Sequence, residues 1–185
     1  MAFCDNELGD GGPHSHAIGA LADAGRAEEA RAQLADLRRR PEEIPEEVFP
    51  GLTGAWMALS LFRIDETSVA AGTAQASEPF PELWPHFYTA VVAPMSMTVG
   101  LCRLATGEFD AAIESLRRSR QHCRDVGFVG LVPLASSLLI EALAARDRGD
   151  DRVRATELLA ELRDTAAAIG APRLVERAAE ALTGT

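Results

Sequence analysis

Turn-marking positions recur along the chain at nearly constant intervals. Gly25, Asp65, Gly107 and Gly149 stand 40, 42 and 42 residues apart, and Gly127 and Gly170 are separated by 43. A period near 42 accommodates one helical hairpin with its loops. Such a hairpin cannot bury its own apolar faces and must stack on neighbours, which is the physical origin of helical solenoids. Three turn segments share one pattern: ADAGRAEEARAQL over 22–34, ATGEFDAAIESL over 105–116 and ARDRGDDRVRATEL over 145–158. Each puts small and polar residues at a turn, acidic residues at the start of the next helix and Ala or Leu at the packing positions.

Composition agrees with close-packed helices. Ala occupies 33 of 185 positions while aromatic residues reach only 5%, and a core of Ala and Leu suits helices at short range rather than strands. Gly and Pro set the expected boundaries: helices over 16–24 and 27–39, a linker over 41–50, a helix from Pro50 to about Phe62, a weaker one over 65–77, an irregular stretch over 78–85, and a helix ending at Thr106. From Gly107 the periodicity strengthens. Phe109, Ala112, Ile113, Leu116 and Cys123 form one stripe. The segment 131–148, with Leu134, Leu138, Leu139, Ala142 and Ala145, is apolar enough to need cover on more than one side. Leu158, Leu159, Leu162, Ala166 and Ile169 form the next stripe, and a last helix over 172–182 has the alternation of a cap. The expected fold is all-α: a flexible segment over 1–13, then over 14–185 an α-solenoid of about four hairpins closed by a C-terminal capping helix.

Several function classes are excluded. All 18 basic residues are arginine, so phosphate-loop lysines, Schiff-base chemistry and lysine general bases are absent. A formal charge of −10 opposes nucleic acid and anionic membranes. No stretch approaches 18 uninterrupted apolar residues, and the acidic start, with Asp5, Glu7 and Asp10, lacks the basic-then-apolar order of a signal peptide. A cytoplasmic location follows as the expectation. Cys102 and Cys123 lie 5 and 16 residues from the Gly107 turn, a stagger of roughly 16 Å in a helical hairpin, so reduced thiols are expected.

The turn segments, above all LATGEFDAAIESL, resemble tetratricopeptide-type repeats. The stretch from about Pro94 to Leu182 is similar to the C-terminal helical region of large multidomain bacterial regulators. In those proteins an ATPase module precedes tetratricopeptide-like repeats, and a class III nucleotide cyclase or a LuxR-type DNA-binding domain completes the chain. The ending soon after Leu182 favours the cyclase-linked branch. The resemblance implies a scaffold, and nothing matching the cyclase, the ATPase phosphate loop or the DNA-binding helices is present to carry a catalytic or base-reading residue across.

Candidate sites are few. His14 and His16 with Cys4, Asp5 and Asp10 offer ligand types for a metal, yet their spacing matches no closed site and the glycine-rich segment reads as a tail. His122 beside Cys123 suggests a thiol and base, but adjacent helical residues point about 100° apart and Cys123 falls on the apolar stripe. Arg117, Arg118, Arg120 and Arg124 lie off that stripe, either as a solvated face, the more frequent case, or as a site for an acidic peptide, and Glu141, inside an apolar helix, calls for an arginine from a neighbouring repeat. Trp56, Trp84, His86 and Tyr88 belong to the aromatic stretch that either lines a partner groove or plugs a gap between repeats. Ile18 and Leu21 mark an N-terminal hairpin face without a capping helix, and thus a surface for a second copy or another protein.

The sequence therefore points to a non-catalytic scaffold without cofactor or metal. Its partner is a protein or peptide, with an ATPase or cyclase component as the implied source, and the N-terminal hairpin either pairs with a second copy of the chain or recruits a separate partner. The alternatives are a small helical enzyme using His86 or His122, neither of which has a partner at defined spacing, and a truncated remnant without independent function.

Overall fold

The structure is a computed structural model that describes residues 17–22, 24–39, 62, 66, 70–84, 86–87, 90–91 and 93–184. Residues 17–22 are helical, followed by α1 (Ala27–Arg38), α2 (Ala70–Ser77), the short strands β1 (His86–Phe87) and β2 (Ala90–Val91), and then α3 (Met95–Ala105), α4 (Phe109–Asp125), α5 (Val132–Arg146), α6 (Asp151–Ala168) and α7 (Pro172–Thr183). A single 3-10 turn, Val129–Leu131, leads into α5. The described chain is all-helical except for one two-residue antiparallel ladder, His86 opposite Val91 and Phe87 opposite Ala90.

The local signals explain the boundaries. Glu28 and Glu29 lie in the first turn of α1, Asp110 in that of α4, and prolines open α5 and α7 where their missing N–H costs nothing. The turns before α4 and α6 use Gly107 at φ 78° and Gly149 at φ 57°, a conformation other residues enter only with strain. The weaker expected helix over 65–77 is helical over Ala70–Ser77. The helix expected from Pro50 lies outside the described residues apart from Phe62 at its end, which packs on the core.

Helices α3 to α7 form one continuous core, each packed on the next, with α7 returning across both α5 and α6. The α4 stripe buries Ala112, Ile113, Leu116 and Cys123 as expected, and α5 buries eleven residues from Val132 to Ala144. Two positions depart from expectation. Ala145 and Ile169 are exposed: Ala145 stands in the last turn of α5 and Ile169 just past the end of α6. The tetratricopeptide-like stack is also incomplete: α5 packs broadly on α7, but α3 meets α5 at only a few positions, so first helices do not stack regularly along the array.

Residues 17–22 and α1 bury a separate small cluster of Ile18, Ala22, Ala30 and Leu34. At the turn end of the core, Asp151 is buried and accepts hydrogen bonds from Arg146 Nε (2.8 Å), Arg146 Nη2 (2.6 Å) and the Arg148 backbone N–H (3.0 Å), while Arg146 Nη1 reaches Asp110 at 2.6 Å. This network ties α4, α5 and α6 together. Contrary to the expectation from uninterrupted apolar runs, the window 129–146 reaches 18 residues at a mean hydropathy of 1.5. It is mostly buried between the neighbouring helices, as a core helix is.

Candidate functional site

Of the residues singled out in the sequence, Trp56 and Tyr88 lie outside the described residues, and His86 is described only as part of the β1 backbone. Trp84 is half-buried against the core. Its indole N–H donates to His122 Nε2 at 2.6 Å, the two rings stand 5.4 Å apart, and Phe128 meets the indole edge-on at 5.4 Å and 72°. Trp84 thus plugs the core, while Phe80, Leu83 and Phe128 are exposed. Ile18 is fully buried and Leu21 half-buried, which corrects the expectation of an open face at these residues: they pack inside their own hairpin.

The acid-base groups are committed elsewhere. His122 Nε2 accepts the Trp84 proton, so that nitrogen has no free lone pair for proton abstraction. Burial pushes the Cys102 thiol up to about 12 and raises the Cys123 thiol as well, the opposite of what a nucleophile needs. Among the described residues no group of three or more His, Cys, Asp or Glu side chains stands close enough to hold a metal ion, and the histidines at 14 and 16 lie outside them.

Glu141, flagged by its place in an apolar helix, pairs with Arg177 of α7 at 2.8 Å from Nε and 3.0 Å from Nη2. Arg177 in turn lies over the Phe62 ring at 4.5 Å. Burial raises the Glu141 carboxyl above its ordinary range, and the Arg177 charge and hydrogen bonds only partly offset this.

The feature that the sequence did not single out is a groove of about 430 Å³ between α4 and α6, floored by α5. Arg117, Arg120 and Gln121 line the α4 side, Leu139 and Leu143 the floor, and Arg154, Glu157, Leu158 and Glu161 the α6 side. The α4 residues follow i, i+3, i+4 and those of α6 follow i, i+3, i+4, i+7, so each set occupies one helix face. That spacing, with Arg117 and Arg120 set off the apolar stripe of α4, is the signal the sequence held; their facing across α5 is tertiary. Glu161 binds both Arg120 and Arg124 (3.4 Å) across the groove, and Arg120 Nε also donates to Ser136 Oγ at 2.9 Å. The groove lies between the second helices of two successive hairpins.

No protein-family model matches the chain, and neither the characterised proteins nor the solved structures compared with it include a match.

Proposed function

We propose that the chain is a non-catalytic helical-repeat scaffold that binds a protein or peptide segment, in the manner of the regulatory helical region of a multidomain bacterial regulator, with an ATPase or cyclase component as the partner. The observation that carries this reading is the groove between α4 and α6, which combines an apolar floor with charged walls and belongs to a framework that is rigidly packed beneath it. The chemistry of the buried groups supports it: both described cysteines are protected by burial, and His122 holds a tryptophan.

The test is affinity capture by the full chain from an extract of its source cells, with Leu158→Glu as the comparison. Leu158 is half-buried at the groove, so circular dichroism and melting accompany the comparison. One protein retained in stoichiometric amount by the parent chain, and lost from a folded Leu158→Glu variant, is the expected result. Retention of none, or turnover of a substrate by the purified chain, overturns the reading.

A further inference from the structure

The two walls of the groove carry opposite charge. Along α4 the side chains are Arg117, Arg120 and Arg124; along α6, past Arg154, they are Glu157 and Glu161. Arg154 is drawn off by Asp150 at 2.8 Å, and Glu161 is shared by Arg120 and Arg124. Arg117 and Glu157 line the groove on opposite sides, and among the described residues neither side chain makes an ion pair or hydrogen bond. Each of α4 and α6 is joined to α5 by a short turn and runs antiparallel to it, so the two walls are parallel to one another. A slot between parallel helices, apolar at the bottom and of opposite sign at its edges, has the charge arrangement by which helices select helices.

Resting on the scaffold reading above, we infer that the groove takes an amphipathic helix of a partner protein, with its apolar stripe on half-buried Leu158 above the buried Leu139 and Leu143, an acidic flank against the α4 arginines and a basic flank against the α6 glutamates. Docking exchanges the Arg120–Glu161–Arg124 bridge for pairs with the incoming helix and gives Arg117 and Glu157 the partners they lack. The charge order also fixes direction, because turning a helix end for end in the groove swaps its flanks.

The experiment uses the full chain and three capped helical peptides of about 18 residues, roughly five turns, with the same leucine stripe. One has an acidic and a basic flank, one has two acidic flanks and one has two basic flanks. By fluorescence anisotropy the mixed peptide is expected to bind about tenfold more tightly than either of the others. Arg117→Glu and Glu157→Arg each remove that preference. A nitroxide at the N-terminus of the mixed peptide broadens amide signals at one end of the groove, and exchanging the two flanks moves the broadening to the other end. Equal binding of the three peptides, a preference unchanged in both variants, or broadening that stays in place overturns the inference. If a partner is retained in the capture experiment while the peptides show no preference, the charge-ordered groove fails and the scaffold reading stands.

Discussion

Gly100 of α3 rests directly on Leu116 of α4: a Cβ added at Gly100 falls 2.6 Å from Leu116 Cγ and 3.2 Å from the Leu116 backbone nitrogen. Leu116 is fully buried, so it can yield only by moving against the side chains packed around it. The missing side chain is what lets α3 and α4 approach, at a position where glycine otherwise weakens a helix. Gly100→Ala gains about 1 kcal/mol of helix propensity but overpacks the contact at about 1 to 3 kcal/mol. Denaturant unfolding should show a net loss, and Leu116→Ala in the Gly100→Ala background should cost less than Leu116→Ala alone. Stabilisation by Gly100→Ala would mean the helices are not in contact there.

The N-terminal hairpin should respond as its own unit. Ile18→Glu places a carboxylate in the Ile18, Ala22, Ala30 and Leu34 cluster, which shares no buried residue with the main core. Hydrogen exchange should therefore accelerate over residues 17–38 and stay unchanged over 95–183. Uniform acceleration along the chain would show that the two clusters fold together.

Asp151 provides an acid-sensitive tie. Hydrogen bonds from Arg146, with one from the Arg148 backbone, hold its carboxyl down at about 2. An aspartate whose folded value lies below its unfolded value, about 3.9, contributes stability that is complete above that value and is lost as pH falls toward 2. Arg146→Met leaves the buried carboxylate unpaired and should cost about 3 kcal/mol at neutral pH. The same variant should lose less further stability between pH 4 and 2 than the parent does, read by urea unfolding at each pH.

Glu141 carries the opposite sign. Its folded value is raised, so the unfolded chain gives up this proton first, and the native state loses relative stability as pH climbs from the ordinary glutamate value through the raised one. Glu141→Gln, neutral at every pH, should gain on the parent protein over that interval. A difference in melting temperature that is constant with pH would show that the Arg177 pair fully offsets the burial.

The Trp84 clasp can be read by its own fluorescence in a Trp56→Phe background. His122 Nε2 accepts the indole N–H hydrogen bond, so a side chain without an acceptor at position 122 leaves the indole unpaired. Trp84 emission should therefore shift in His122→Phe relative to the parent chain, because the indole N–H loses its acceptor. An unchanged spectrum would show that His122 does not hold the indole N–H.

Helix positions, their ends and the α4 stripe were legible in the sequence because they depend on residues three or four apart and on Gly and Pro, whose backbone preferences are local. The need of Glu141 for an arginine was legible for a similar reason, since a carboxylate inside an apolar helix must be paired. What the spacing cannot carry is the identity of the neighbour. The choice of Arg177, 36 residues away, the clasp between Trp84 and His122, 38 apart, and the facing of Arg120 toward Glu161, 41 apart, were decided by how the helices cross. Ile18 and Ile169 show the same division: both sit at helical apolar positions, yet one is fully buried and the other 47% exposed. Periodicity names the apolar side of a helix, whereas burial requires a second surface to meet it, and only tertiary packing supplies that surface.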